Sequence, residues 1–438
     1  MFKKSNRSSK SIWAGIASLS LLLGGVVSTS SYAASTLTIP ATDPDTTIKV
    51  LSFMNKADIQ TVLDAFAKEH PTIKVDFQTV PFNDLQPTVD ARVSSKSADL
   101  DVYWADQPRV SALAARGTAL DITSAFSKYR STFDASPWAS GLYNGKLYAL
   151  PIANSTQMLF YNVDLLKKAG ITPPSASISD RMTWEDLVVD AKKAVDSGAK
   201  YGLLFHQFDR YYQLEALPVS KGGGIGAQGK GNLIPNVANK GWIDALTWYG
   251  KLFKNKISPR GMTPEQVEPA FLAGQAAYMV GGPWFLPGLN LSKLNWGVAP
   301  HPYFKGGKAA TANGSWSLAI NPYSKNQEAS AIFLKFMAID GGSGYIKYRN
   351  DPELAATPEA KKLYFAKDVF ATPQGKQAAT IIDYETSKTG VGRVQTVGYI
   401  EFETIMNAAF SDIRNGADPG KVLREASNKL RKAWAIYK

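Results

Sequence analysis

A strand, a helix and a second strand follow one another early in the chain, and this order is the strongest constraint on its fold. Residues 48–53 and 73–77 have the composition and alternation of strands, and between them apolar residues recur at helical spacing from Ile59 to Phe66. Strands joined through a helix normally lie parallel, because a tight hairpin cannot connect parallel neighbours. The sequence therefore predicts an α/β fold with a parallel sheet covered by helices.

The pattern continues along the chain. We predict strands at residues 100–104, 158–161 and 316–320, and helices at 110–116, 242–253, 271–279 and 328–339, with two more helices closing the chain. Thr183 is of a residue type that is common at helix N-caps, and we predict that it caps the helix that follows. Pro151 interrupts a strand-like run and suits a crossing between domains. Three glycines at 222–224 lack the spacing and the terminal lysine of a phosphate-binding loop.

The chain is long enough for two or three compact units, since it has 438 residues. Its 45% hydrophobic and 20% charged residues are typical of a globular protein. It contains no cysteine, which excludes disulfides, thiolate zinc sites, cysteine nucleophiles and a cysteine-anchored lipoprotein. Its three histidines are far apart in sequence, so we expect no metal site and no cofactor.

Residues 1–33 have the pattern of a secretory signal peptide. Four basic residues precede an apolar stretch, and Ser31, Tyr32 and Ala33 form a cleavage site, so we expect cleavage after Ala33. Loss of the four charges lowers the formal net charge from +12 to +8. The remaining basic residues are dispersed, which argues against nucleic acid as a partner. Residues 34–46 are predicted to form a mobile leader.

Five segments in order resemble the bacterial extracellular solute-binding protein family 1, the maltose-binding-protein-like receptors of ABC sugar importers. They are FAKEHPTIKVDF (66–77), DLDVYWADQPRVSALAARGTALDIT (99–123), NGKLYALPIANSTQMLFYNVDLLKKAGIT (144–172), FLAGQAAYMVGGPW (271–284) and GSWSLAINPYSKNQEASAIFLKFM (314–337). The resemblance implies a two-lobed periplasmic-binding-protein fold of type II, with open sheets, helices on both faces and a hinge of several segments. We expect lobe 1 at 47–150 plus 314–370 and lobe 2 at 151–313 plus 371–438.

The resemblance implies a non-catalytic periplasmic receptor that captures a sugar in the cleft between the lobes. Hinge closure would then present the sugar-loaded form to the permease subunits of an ABC transporter in the inner membrane. The chain crossings are expected near 149–153, near 313–317 and around 370–390. We expect a monomer that is exported, confined to the periplasm and not lipid-anchored.

Sugar recognition needs aromatic faces for the C–H surfaces of the ring and planar polar groups for its hydroxyls. Residues of both kinds occur at loops that the resemblance places around the cleft. The predicted substrate-binding residues are Asn55, Lys56, Trp104, Asp106, Gln157, His206, Asp209, Tyr212, Trp284, Asn313, Trp316 and Arg393. By its spacing to the glycine turn, Tyr212 is preferred over Tyr211.

Two alternatives stay open at this point. The first is a receptor of the same fold for an acidic or sulfonated sugar, favoured by the net positive charge and by Lys56 and Arg393 near the cleft. The second is a secreted glycoside hydrolase, which requires two carboxylates on either side of the scissile bond. The sequence contains no nucleophile elbow, zinc-protease signature or paired acid motif.

Overall fold

The computed structural model describes residues 36–314, 316–350 and 353–437. The predicted signal peptide and its cleavage site lie outside these residues. The strands are β1 (Thr46–Ser52), β2 (Ile73–Thr79), β3 (Val102–Asp106), β4 (Leu142–Tyr143), β5 (Lys146–Leu147), β6 (Leu150–Pro151), β7 (Ala153–Asn154), β8 (Met158–Asn162), β9 (Tyr201–Phe205), β10 (Ala227–Gln228), β11 (Ile234–Pro235), β12 (Ala276–Gly281), β13 (Trp296–Ala299), β14 (Thr311–Asn313), β15 (Trp316–Ile320), β16 (Leu354–Ala355) and β17 (Gly390–Gly392).

The α-helices alternate with these strands. They are α1 (Lys56–Glu69), α2 (Leu85–Ser94), α3 (Val110–Ala115), α4 (Thr123–Phe126), α5 (Ala135–Ser140), α6 (Val163–Lys168), α7 (Trp184–Asp196), α8 (Tyr211–Leu214), α9 (Ala216–Ser220), α10 (Lys240–Lys254), α11 (Pro264–Leu272), α12 (Leu286–Leu291), α13 (Gln327–Ala338), α14 (Gly344–Tyr348), α15 (Pro358–Phe365), α16 (Pro373–Tyr384), α17 (Tyr399–Arg414) and α18 (Pro419–Ala433).

The first sheet has the strand order β2-β1-β3-β15-β6. The predicted strand-helix-strand unit is confirmed, because β1 pairs with β2 in parallel and Ile48 lies opposite Val75. β15 runs antiparallel to β3 and places Trp316 opposite Asp106. Pro151 lies in β6 at the edge of this sheet, where a missing N–H group is tolerated. The sheet therefore brings residues 106 and 316 side by side at one end.

The second sheet has the order β13-β8-β12-β9. Its strand β12 corrects our helix prediction for residues 271–279. Helix α11 ends at Leu272, Gly274 has φ 71°, and β12 then pairs with both β8 and β9. Every residue of β12 is buried, so the segment carries a continuous apolar run with no polar face to reveal its period. The predicted helix N-cap at Thr183 is confirmed, since its hydroxyl accepts a hydrogen bond from Asp186 N at 3.2 Å.

The chain passes between the two sheets more than once. It leaves the first sheet after β6 and enters the second at β8, and it returns between β13 and β15. Helix α14 packs against α1 and α13 beside the first sheet, whereas α16 packs against β13 of the second. Two short ladders accompany these passages, because β14 pairs with β17 and β7 pairs with β16.

The described part of the segment before β1, where we predicted a mobile leader, contacts the body of the protein. Leu37 is buried, and its carbonyl accepts a hydrogen bond from the Ser124 hydroxyl at 2.8 Å. Asp43 pairs with His70 at the end of α1 at 2.8 Å. Apolar burial and hydrogen bonds therefore hold this segment against the body, which the composition of residues 34–46 did not reveal. Within the described ranges, none of the helices is both long and apolar enough to cross a membrane.

Candidate functional site

A cavity of about 490 Å³ lies between elements of the two sheets. One wall comes from the loops after β1 and β2 and from the start of β15. The other comes from the loop after β9, the turn after β12 and helix α11. Because these positions follow strand ends, the cavity lies where open α/β sheets normally bind ligands. We call it the cleft.

The first wall of the cleft is aromatic. The rings of Phe53 and Trp316 lie 4.5 Å apart, and Phe82 meets Phe53 at 5.1 Å and Trp316 at 5.8 Å, edge to face in both pairs. Phe82 is 39% exposed, which is unusual for a large apolar side chain in the described part of the chain. This cluster offers an apolar aromatic surface to the cleft.

The second wall is aromatic as well. Trp284 is partly buried on the turn that follows β12, with its ring 5.7 Å from His206 and 6.5 Å from Tyr212. Gly282 is required here, because a Cβ at that position would collide with the six-membered ring of Trp284. Burial lowers the pKa of His206 to about 4, assisted by the charge of Arg210. The His206 ring is therefore neutral near pH 7.

Asp106 and Arg393 form a bidentate ion pair at the base of the cleft. Nη1 of Arg393 donates to Oδ2 of Asp106 at 2.6 Å, and Nη2 donates to Oδ1. The Arg393 guanidinium also lies 5.1 Å from the centre of the Tyr212 ring. Burial disfavours the charged guanidinium, but the Asp106 carboxylate outweighs this and raises the pKa of Arg393. The two side chains were predicted separately, and the fold pairs them with each other.

A third ionisable group stands beside this pair. Glu215 is fully buried, and neither carboxyl oxygen has a side-chain hydrogen-bond partner in the described structure. Burial raises the pKa of the Glu215 carboxyl well above its ordinary value, and this effect exceeds the opposing attraction of Arg393. Because an unpaired buried charge is costly, burial favours the protonated form of this carboxyl.

Polar groups from the first chain passage complete the cleft. Ser155 shares a hydrogen bond with the Tyr212 hydroxyl at 2.7 Å and also donates to the carbonyl oxygen of Gly314. Asn154 Oδ1 accepts from the backbone N–H groups of Ser155 at 2.9 Å and Gly314 at 3.2 Å. These bonds join the two passages of the chain to one wall of the cleft.

The structure brings most of the predicted residues together. Seven of them line the cleft: Asn55, Asp106, His206, Tyr212, Trp284, Trp316 and Arg393. Asn55 precedes α1 without a side-chain capping bond, so its amide stays available. Asp209 lines a neighbouring cavity and pairs with Arg414 at 2.7 Å, and Asn313 lines a third cavity. Tyr211 is fully buried, with its hydroxyl bonded to Ile225 O, so Tyr212 occupies the position facing the cleft.

Three predicted residues lie elsewhere. Trp104 is 1% exposed and packs edge to face against Phe77 and Tyr345 in the core. It shares a face of the sheet with Asp106, but it lies two residues further back from the end of β3 where the cleft opens. Gln157 is fully buried and accepts a hydrogen bond from Gln213. Lys56 is exposed on α1 and does not line the cleft.

Several lining residues were missed by sequence reasoning. They are Phe53, Asp58, Phe82, Arg210, Glu265, Glu268, Arg349, Glu353 and Glu403. Phe53 directly follows β1, so the rule on strand ends could have found it. Arg349, Glu353 and Glu403 come from distant parts of the chain, and no local pattern marks them.

Carboxylates outnumber cations in the cleft lining. Asp58, Asp106, Glu265, Glu268, Glu353 and Glu403 face three arginines, Arg210, Arg349 and Arg393. Glu353 pairs with Arg349 at 3.1 Å, and Glu403 pairs with Arg109. Glu268 has no ion pair with a described residue, and burial raises its pKa. The cleft is therefore locally acidic although the whole chain is basic.

Comparison with known proteins gives consistent matches. Residues 53–343 match the family model described as bacterial extracellular solute-binding protein. The maltodextrin-binding protein of Bacillus subtilis is 28% identical over 268 residues, covering 60% of this chain and 62% of that protein. The galactooligosaccharide-binding protein of the same bacterium is 29% identical over 226 residues, covering 50% and 51%. Each match spans less than two thirds of the relative's length.

Two solved structures share the fold. The GacH receptor of Streptomyces glaucescens, solved without ligand and with acarbose, aligns with a TM-score of 0.75 at 22% identity, covering 90% of this chain and all of that one. An ABC substrate-binding protein of Listeria monocytogenes in complex with cycloalternan aligns with a TM-score of 0.76 at 24% identity, covering 89% and 99%. The predicted two-lobed periplasmic-binding-protein fold is confirmed.

Proposed function

The chain belongs to the bacterial extracellular solute-binding protein family, and we propose that it is the sugar receptor of an ABC importer. In this proposal it captures a mono- or oligosaccharide in the cleft and delivers it to the permease subunits in the inner membrane. Its relatives named above are described as binding maltodextrin and galactooligosaccharide, which supports a carbohydrate ligand.

The aromatic surfaces on both sides of the cleft carry the proposal. Trp316 with Phe53 and Phe82 forms one surface, and Trp284 with Tyr212 forms the other. A pyranose ring placed between them covers both of its C–H faces with aromatic carbon. Carboxylates and guanidinium groups around the rim then accept from and donate to the hydroxyls.

Closure of two lobes completes the proposed cycle. We assign lobe 1 to residues 47–150 plus 314–370 and lobe 2 to 151–313 plus 371–438. The positions of the two sheets and the packing of α17 and α18 against α10 support this division. Binding would draw the walls together and exclude water, which strengthens polar contacts to the sugar. We expect the receptor to act as a monomer.

The lining of the cleft does not favour the alternative that the ligand is an acidic or sulfonated sugar. It rested on Lys56 and Arg393, but Lys56 lies outside the cleft lining, and Arg393 is neutralised by Asp106. Because carboxylates outnumber arginines in the lining, an added ligand carboxylate would meet repulsion there. We therefore rank a neutral sugar above an acidic one in this site.

The hydrolase alternative predicts turnover, and a receptor does not. The cleft contains several carboxylates, so the distinction needs an experiment. The purified protein, incubated with the oligosaccharides that bind it, is expected to leave them intact on chromatography. Release of shorter sugars that is lost in Glu268→Gln would establish an enzyme.

The proposed site of action is the periplasm. Family membership supports a location outside the cytoplasm. Cleavage after Ala33 and the absence of a lipid anchor belong to the proposal. A maltooligosaccharide-binding relative from Streptococcus pneumoniae is described as a lipoprotein. Mass spectrometry of the secreted protein is expected to find Ala34 as the first residue.

A ligand screen tests the proposed function. Thermal unfolding is measured with neutral, acidic and amino mono- and oligosaccharides, because a ligand that binds the native state raises the melting temperature. We expect at least one neutral oligosaccharide to raise it, and titration calorimetry to give one site per chain. If Trp284→Ala responds to the same sugar as strongly as the unsubstituted protein, the cleft is not the binding site.

A further inference from the structure

A larger cavity, the one that Asn313 lines, lies beside the cleft. Its volume is about 960 Å³, within the range of small-molecule sites, and it shares Asn154, Gly314 and Arg393 with the cleft lining. Its other walls come from α3, from the β4–β5 hairpin, from residues 230–234 and from the segment after β17. We call it the side cavity.

The side cavity presents hydrogen-bond donors that are not used by the protein. Oδ1 of Asn154 already accepts two backbone N–H bonds, and Oδ1 of Asn313 accepts one from Gly314 at 2.8 Å. Their amide NH₂ groups and the Ser111 hydroxyl have no partner among the described residues. These three side chains are only 8%, 6% and 7% exposed. Because these donors belong to residues that line the cavity and have no partner among the described residues, they are available to a ligand there.

The charge of the side cavity is opposite to that of the cleft. Its lining contains Lys230 and neither aspartate nor glutamate, and Arg393, which also lines it, is already paired with Asp106. Lys230 is exposed between Gly229 and Gly231, both at positive φ, and its ammonium group forms no ion pair with a described residue. Tyr143 and Tyr437 add aromatic surface. Unused donors with a free cation favour an acceptor that is negatively charged.

We propose that the side cavity is a second binding site, separate from the cleft, for a hydroxylated carboxylate such as a sugar acid. The carboxylate accepts hydrogen bonds from the amide groups of Asn154 and Asn313 and is attracted by Lys230. The Ser111 hydroxyl bonds a ligand hydroxyl, and the tyrosine rings cover the C–H surface of the ring. The two cavities therefore sort ligands by charge, with acids excluded from the cleft and accepted beside it.

Titration calorimetry of the Trp284→Ala variant with sodium glucuronate tests the site without binding in the cleft, and glucose and sodium acetate serve as separate titrants. We expect glucuronate to bind more tightly than either, because glucose lacks the charge and acetate lacks the hydroxyls. Sodium chloride is expected to weaken glucuronate binding, since the Lys230 contribution is screened. If acetate binds as tightly as glucuronate, the assigned ligand class is wrong.

Substitutions locate the site. Ser111→Ala is expected to weaken glucuronate binding about tenfold by removing one hydrogen bond, and Lys230→Ala about threefold by removing an exposed charge. Lys254→Ala removes an equal charge from the end of α10, away from both cavities, and is expected to have no effect. Circular dichroism confirms that each variant is folded.

The cleft variant Trp284→Ala separates this proposal from the proposed function. It is expected to lose oligosaccharide binding while keeping glucuronate binding. If Trp284→Ala loses glucuronate binding and Lys230→Glu keeps it, the anion binds in the cleft and the proposal is wrong. A failed oligosaccharide screen with glucuronate binding retained contradicts the proposed function alone.

Discussion

Single residues of one type have different roles because the fold places them differently. Trp284 lies partly buried on the wall of the cleft, whereas Trp104 is enclosed by the core. Both were predicted to bind sugar. Their positions along the strand separate them, because Trp284 lies beyond the end of β12, whereas Trp104 lies inside β3 and is covered by neighbouring elements.

We predict that Trp284→Ala weakens oligosaccharide affinity by about ten- to a hundredfold, because stacking on one ring face is lost. Trp104→Ala is expected to leave the oligosaccharide affinity of the cleft unchanged. It is expected to lower the free energy of unfolding by about 3–5 kcal/mol, because it leaves a cavity in the core. Calorimetric titration and chemical unfolding measure the two effects. A large stability loss in Trp284→Ala with unchanged affinity contradicts the assignment.

The Asp106–Arg393 pair is predicted to act mainly on stability. Both side chains are largely buried, at 15% and 6% exposure. Asp106→Asn or Arg393→Met alone leaves a buried charge without its partner, which costs about 3–5 kcal/mol of unfolding free energy. The double variant Asp106→Asn, Arg393→Met is expected to be more stable than the sum of the single losses predicts. Additive losses in urea unfolding contradict a direct coupling.

His301 is predicted to make stability depend on pH. The residue is 1% exposed, and burial lowers its pKa to about 4 from an ordinary value of 6.5, against the opposing attraction of Glu385. Between pH 6.5 and pH 4, the imidazole of residue 301 is protonated in the unfolded chain but stays neutral in the folded protein. Stability is therefore complete above about pH 6.5 and falls toward pH 4, by roughly 3 kcal/mol.

Unfolding measured between these pH values checks this prediction. His301→Gln is expected to reduce the dependence but not abolish it, because it removes one of two buried histidines with a lowered pKa, and His206 remains. His70→Gln, at the end of α1, is the matched control for loss of an imidazole. Equal curves for all three proteins assign the pH dependence to other groups.

At the scale of elements, the three glycines at 222–224 act as a packing surface for helix α10. Asn239 caps this helix by accepting from Trp242 N at 3.1 Å, and its amide donates to Gly223 O at 2.9 Å. Gly222 and Gly224 have φ of 78° and 70°, which other residues rarely adopt. The glycine run that lacked a phosphate-loop pattern therefore wraps the start of a helix.

We predict that Gly241→Ala in α10 destabilises the protein by about 1–3 kcal/mol through overpacking. A Cβ at residue 241 would lie 2.6 Å from the Cα of Gly223, and backbone cannot rotate away as a side chain can. Gly261→Ala is the control, since no atom lies within 4 Å of its added Cβ. Thermal unfolding measures both. Equal melting temperatures show that the glycine segment can shift.

Elements with a clear period were predictable, and the exceptions share a cause. The strands at β1, β2, β8 and β15 and the helices α10 and α13 agree with the pattern within a few residues. Residues 271–279 failed because a buried helix end and a buried central strand both consist of apolar residues. The period of a segment is visible only when one of its faces is polar.

At the scale of the whole molecule, contacts across the cleft hold its walls together. The Arg210 guanidinium lies 4.3 Å from the centre of the Phe82 ring and donates to Asn83. Arg116 pairs with Glu401 of α17 at 2.7 Å, and Arg109 pairs with Glu403 of the same helix. These contacts join residues of the first half of the chain to elements of the second sheet or the last helices.

We predict that Arg210→Ala shifts the ligand-free protein toward a more open form, because it removes a contact between the walls. Small-angle scattering is expected to give a larger radius of gyration for this variant, and saturating oligosaccharide to reduce it toward that of the unsubstituted protein. Lys254→Ala serves as the control for loss of a charge. If a tightly bound sugar reduces the radius of gyration of neither protein, the proposed closure is contradicted.

The amino-acid sequence by itself determined the α/β class, most strands and helices and the family. These follow from local periodicity and from motifs that lie within a few residues of one another. The tertiary structure decided which candidate residues face the cleft, and it paired Asp106 with Arg393. It also brought carboxylates from distant parts of the chain into the cleft, although the chain as a whole is basic. Side-chain direction and partners depend on contacts between residues far apart in the chain, and no local pattern encodes them.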